Sequence, residues 1–320
     1  MKKLLASAMI SALAILGAAP AQAAFPEKPL NVVIAFAPGG TADISVRMLA
    51  PKLEKILGQP LVITNKGGGA GVPGLNTVLN AKPDGYTISA PSTPAFTATI
   101  FLKGKPYDLD DMAFAAGYMV NDRILLVKPD KPYKTWQEFL AYIKANPGKV
   151  SIGSGASQAA MEVMRSIAIK EGLDVNFVMY KSGGEASADL IGGHIDACEL
   201  GVGTAAYQAA RKGELAVLAN LGTGEVPDFP GVPKLHKDLG YDFFTSVIYA
   251  FILPKGTPEE IRARWEDAIR QVLDDPEIKE NFHKAGFAPK FMTGAEAKAF
   301  SENELKSIPA MLEYNRQAKK

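Results

Sequence analysis

Cysteine is almost absent: the 320-residue chain carries one, Cys198. A lone thiol permits no internal disulfide and no cysteine-based zinc site. Histidine is nearly as scarce. His194, His236 and His283 lie far apart in no metal-ligand spacing, so no metal is expected. Excess charge is missing too: 35 Lys and Arg face 34 Asp and Glu. That balance gives no basic surplus for nucleic acid or for an anionic membrane surface. Beyond the first residues no apolar run is long enough to span a bilayer. There is no internal repeat and no long linker. Stability therefore rests on the apolar core.

What is present begins with a targeting pattern. Lys2 and Lys3 precede a mostly apolar stretch, Leu4 to Ala19, and Ala21-Gln22-Ala23 is a small-residue cleavage site. Residues 1–23 read as a signal peptide, cut after Ala23. The expected location is the periplasm or the outside of the cell. No cysteine sits near the cut to take a lipid. Losing the two lysines moves the formal charge from +1 to −1. The remainder exceeds what one core usually holds, so two lobes are expected.

Strand and helix patterns alternate along it. Strands are predicted at Leu30–Phe36, Leu61–Asn65, Tyr86–Ala90, Ile124–Val127, Val150–Gly153, Val175–Tyr180, Ile195–Leu200, Leu215–Ala219 and Val247–Leu253. Helices are predicted at Thr41–Leu57, with Pro51 inside, and from Thr135 to a stop at Asn146-Pro147-Gly148. Others follow at Ala159–Glu171, Glu185–Gly192, Ala205–Lys212, Pro258–Leu273, Pro276–Ala285 and Ala295–Lys319. The alternation implies an α/β fold with parallel-rich sheets flanked by helices. Ligands in such folds bind beyond the carboxyl ends of the strands.

Three of those ends share one construction. The first strand runs through Ala37-Pro38-Gly39-Gly40-Thr41 into a helix, with Asp43 two residues on. Thr41 and Asp43 are both candidate caps. Ser154-Gly155-Ala156-Ser157-Gln158 repeats the pattern. So does Tyr180-Lys181-Ser182-Gly183-Gly184. Glycines let the backbone approach a ligand, and free N–H groups at a helix start attract an anion. One such loop could equally be a plain tight turn; three are better explained by shared work. Basic residues nearby are sparse apart from Lys181, which suits a carboxylate better than a phosphate. Gly69 and Ala70 belong to a glycine run, Asn65 to Gly74, read as a flexible cleft wall. Ser92 and Thr93 end the third strand's loop.

Other chemistries are weaker. Gly69, Gly71 and Gly74 spell G-x-G-x-x-G, but no acidic residue ends the next strand, as a dinucleotide site requires. Gly155 to Ala159 resembles a nucleophile elbow with Ala in the last position. A secreted hydrolase is the rival enzyme reading. The three histidines fall in surface-like segments. Glu199 sits in an apolar strand, where a carboxylate must be paired or wet; it either faces the cleft or has a local partner. Asp122-Arg123 offers a cation to a ligand, though a surface ion pair is the commoner outcome. Tyr107, Phe96 and Phe101 either line the cleft or pack the lobe.

At these loops the sequence resembles a known family, the extracytoplasmic receptors of tripartite tricarboxylate transporters, or Bug receptors. The resemblance is carried by Phe36 to Asp43 with Arg47, Leu57 to Pro60, Asn65 to Gly74, Pro83 to Tyr86, Pro106 to Asp108, Tyr180 to Gly184, Leu190 to Asp196 and Pro254 to Pro258. It implies a two-lobed periplasmic-binding fold of type II kind with two hinge crossovers: residues 24–124 and 247–320 in lobe 1, residues 125–246 in lobe 2. It implies a monomeric receptor, with no cofactor and no catalysis. A small organic carboxylate would be captured by the loops at Ala37 to Thr41 and Ser154 to Gln158 and passed to two membrane subunits. A sensor partnering a membrane kinase is the remaining alternative. Two departures touch the ligand's far end. The run Ser157 to Met161 lacks the Gly and His of many relatives, and Glu199 stands where an aromatic is usual.

Overall fold

In the computed structural model the described residues are 25–317, apart from 156, 223–225, 227 and 244–246. The segment expected to be a signal peptide, residues 1–23, and the last residues of the helix expected to run to Lys319 lie outside them.

The strands form two sheets. The first has the order β11-β4-β10-β3-β1-β2. Its members are β1 (Leu30–Ile34), β2 (Leu61–Asn65), β3 (Thr87–Ser89), β4 (Met112–Val120), β10 (Ile248–Pro254) and β11 (Ala288–Thr293). The second has the order β7-β6-β8-β5-β9, from β5 (Arg123–Val127), β6 (Ser151–Gly155), β7 (Asn176–Tyr180), β8 (Ala197–Gly201) and β9 (Ala216–Asn220). Helices flank both sheets, and the chain passes from one to the other through Asn121 and Asp122.

Both sheets are mixed rather than parallel-rich throughout. β1 runs parallel to β2 and β3, and β6 parallel to β7 and β8. The strands entering from the other lobe reverse this: β10 is antiparallel to β3 and β4, and β5 to β8 and β9. Two strands escape the sequence pattern. β4 is almost wholly buried, so it has no polar alternation. β11, which falls between two predicted helices, is an edge strand paired with β4 and carries Pro289 and Lys290, the residues that blunt a sheet edge. The glycine run expected to be a flexible wall is a short 3₁₀ turn, Gly69–Gly71, leading into a helix, Val72–Leu79.

α1 (Thr41–Leu57) packs its apolar stripe, Val46, Leu49 and Leu53, into the core and continues through Pro51. It ends at Gly58, whose φ of 75° is the left-handed value a helix terminus favours in glycine. The long C-terminal helix α11 (Gly294–Gln317) starts against β4 and finishes on the other lobe. There Asn315 bonds Ser166 Oγ at 2.7 Å and Glu162 at 2.8 Å.

Candidate functional site

The turn before α1 is built without a side-chain cap. Gly40 is the N-cap, and neither Thr41 nor Asp43 takes the capping role expected of them. Asp43 instead braces the loop. It accepts from Gly39 N at 3.1 Å, Arg47 Nε at 2.9 Å and Asn65 Nδ2 at 2.9 Å. Asn65 also ties the Phe36 carbonyl, at 3.1 Å. The N–H groups at the start of α1 thus receive no side-chain cap from their own turn. Thr41 Oγ1 reaches the opposite lobe and donates to the Val202 carbonyl at 3.2 Å.

Two helix starts face it from the second lobe. In α6 (Gln158–Glu171) Ser157 caps, accepting from Ala160 N at 3.3 Å; in α7 (Gly183–Gly192) Ser182 caps, accepting from Glu185 N at 3.2 Å. Gly155 lets them converge, since a Cβ there would sit 2.6 Å from Leu200 Cδ2 and 2.8 Å from Gly183 Cα. Both lobes meet over the gap: a Cβ on Gly184 would lie 4.0 Å from the Gly39 carbonyl oxygen.

The floor is made where the sheets join. Arg123 opens β5 opposite Gly201, and its guanidinium reaches diagonally to Glu199 on β8. Nε donates to Glu199 Oε2 in a close ion pair, and Nη2 to the Glu199 carbonyl at 3.3 Å. Ser154 Oγ holds the other carboxylate oxygen. Burial lowers the Arg123 guanidinium, but the facing carboxylate outweighs it and leaves the group above its ordinary value. Burial raises the Glu199 carboxyl against the pull of Arg123 and Ser154. Burial likewise raises Tyr249, whose hydroxyl bonds Thr41 and Ser92.

These parts enclose a cavity of about 50 Å³. A single water needs roughly 10–15 Å³ by the same measure, so the space suits a small molecule. Of the residues named from sequence, Ala37, Gly40, Thr41, Ala70, Ser92, Gly155, Ser157, Gln158, Ser182 and Gly183 line it. Others do not. Pro38, Gly39 and Asp43 belong to the supporting loop. Thr93 Oγ1 is taken by Ile248 N at 3.3 Å. Gly69 and Tyr180 line an adjoining concavity of about 230 Å³ beside Lys103 and Lys181. Ser154 and Glu199 are fully buried behind the wall. Ala156 lies outside the described residues.

Sequence reasoning misread one residue and passed over others. Arg123 is no surface partner of Asp122. It is 7% exposed, lines the cavity and pairs with Glu199, while Asp122 meets Asn220 at 3.3 Å. Two opposite charges in apolar strands of one sheet were the available signal. Tyr249 and Thr204 also line the cavity; Tyr249 was hidden in an apolar run, and Thr204 is the cap of the following helix. Phe96 and Tyr107 are core residues, and Phe101 is exposed. All three histidines are exposed. Among the described residues no group of His, Cys, Asp and Glu could hold a metal, and no helix is long and apolar enough to cross a membrane.

Residues 45–315 match the model of the tripartite tricarboxylate transporter family receptor. The chain belongs to this family. A protein encoded in the gbd 5′ region of Cupriavidus necator is 34% identical, covering 93% of this chain and 91% of its own. Protein BugT of Bordetella pertussis is 30% identical over 90% of each. A solved periplasmic transporter superposes with a TM-score of 0.84 at 29% identity, covering 91% of this chain and 98% of its own. The family consists of periplasmic solute-binding receptors rather than enzymes. This overturns the hydrolase alternative; the Ser157 hydroxyl is occupied as a helix cap.

Proposed function

We propose that this receptor captures a small organic carboxylate between its lobes in the periplasm and delivers it to the membrane subunits of a tripartite transporter. Lobe 1 comprises residues 24–124 and 247–320, and lobe 2 residues 125–246. The receptor works as a monomer, exported by the cleaved N-terminal segment. The observation that carries the reading is convergence. The starts of α1, α6 and α7 approach one small cavity from both lobes. Each start contributes roughly half a positive charge and free N–H donors. A carboxylate bridging them ties the lobes together, and Asp43 holds the α1 loop in the receiving shape.

The test is thermal unfolding of the mature protein against a panel of dicarboxylates, hydroxy and keto acids, aromatic acids and amino acids. A bound acid raises the melting temperature by mass action, about 2.7 kcal/mol at 100 times its dissociation constant. A panel without any shift, repeated by calorimetry, would remove the carboxylate reading.

A further inference from the structure

Among the described residues that line the cavity Arg123 carries the charge, and that charge is answered from behind. Glu199 is fully buried in β8, between β6 and β5. One of its oxygens is held by Arg123 Nε and the other by Ser154 Oγ. It can neither turn away nor meet a ligand. Two guanidinium nitrogens are committed to Glu199; the third, Nη1, lies beside Gly201, which like Arg123 lines the cavity. A Cβ on Gly201 would lie 3.7 Å from it and 3.3 Å from Thr41 Oγ1. The floor thus offers N–H donors without net charge.

We infer that the Arg123–Glu199 pair makes this cavity selective for a monocarboxylate bearing an uncharged oxygen acceptor, a hydroxy or keto acid, over a dicarboxylate. The inference rests on the carboxylate reading above and deepens it. The helix starts take the carboxylate. What then meets Arg123 decides the ranking. An alkyl tail leaves a buried donor unpaired, which is costly. A second carboxylate gains from Arg123 but stands only slightly farther from Glu199, and in a water-poor site the repulsion offsets most of that gain. A hydroxyl or keto oxygen satisfies the donor and meets no repulsion. Glu199 both orients the arginine and excludes the dianion.

The experiment is titration calorimetry of the intact mature receptor with propionate, lactate, pyruvate and malonate, and with butyrate, 2-hydroxybutyrate, 2-oxobutyrate and succinate. A hydroxy or keto acid is expected to bind at least tenfold tighter than the alkyl acid and the diacid of its length. Glu199→Gln leaves the arginine's charge unanswered and should move the diacid-to-hydroxyacid affinity ratio at least tenfold toward the diacid. A diacid preference in the unaltered receptor, or an unchanged ratio in a folded Glu199→Gln protein, overturns the inference and leaves the carboxylate reading standing. If Glu199→Gln fails to fold, Arg123→Met with Glu199→Met removes both charges. That protein should bind carboxylates yet lose the preference for oxygen-bearing over alkyl acids; a retained preference also overturns the inference. If none of the acids binds, the carboxylate reading falls and takes this inference with it.

Discussion

Gly155 shows how much a missing side chain contributes. It brings Leu200 and Gly183 close enough for the α6 and α7 starts to share a cavity. Gly155→Ala should cost about 1–3 kcal/mol of stability through overpacking and weaken acid binding roughly tenfold, as the two starts are pushed apart. Unfolding and calorimetry on the same sample separate the two effects. At this scale the anion loops were legible, because glycine, a small hydroxyl residue and a helix start are a local pattern. The Arg123–Glu199 pair was not. Its members are 76 residues apart, and only strand pairing puts them on one face.

Helices carry their own start and stop signals, and most were legible to within a residue or two. Thr135 caps its helix with the full reciprocal box to Glu138, and Gly172 and Gly193 close theirs in the left-handed conformation. Strand direction has no local signal, so the antiparallel entries of β5 and β10 could not be read. Glu304, on α11, also depends on assembly. Burial pushes its carboxyl up to about 8, although the Thr93 and Thr97 hydroxyls favour the ionised form. The unfolded chain titrates near the ordinary 4.5, so the native state binds this proton more tightly. The stability it brings is full below that value and is lost as pH rises through about 8. Glu304→Gln should therefore melt close to the unaltered protein at pH 5 and several degrees above it at pH 9. Parallel scans at the two pH values check this; an equal gap at both would refute it.

At the scale of the whole molecule, Thr41 to Val202 is a polar contact that joins the lobes over the cleft. A hydrogen bond of this kind is worth about 1 kcal/mol. Thr41→Val should thus weaken acid binding about fivefold and lower the overall unfolding temperature little. Calorimetry beside a melting curve distinguishes this from a general loss of stability. Sequence length foretold two lobes, while the reach of α11 onto both was not legible, since its apolar stripe does not name its partner. The strand order also sets a timetable. The second sheet has all five strands once Asn220 has been made, but in the first β10 belongs between β3 and β4. Until residue 254 emerges, β3 and β4 each keep an open edge facing an empty slot. An unfilled edge can recruit the wrong strand from a neighbouring chain, so the receptor is most vulnerable to aggregation while it is nearly complete.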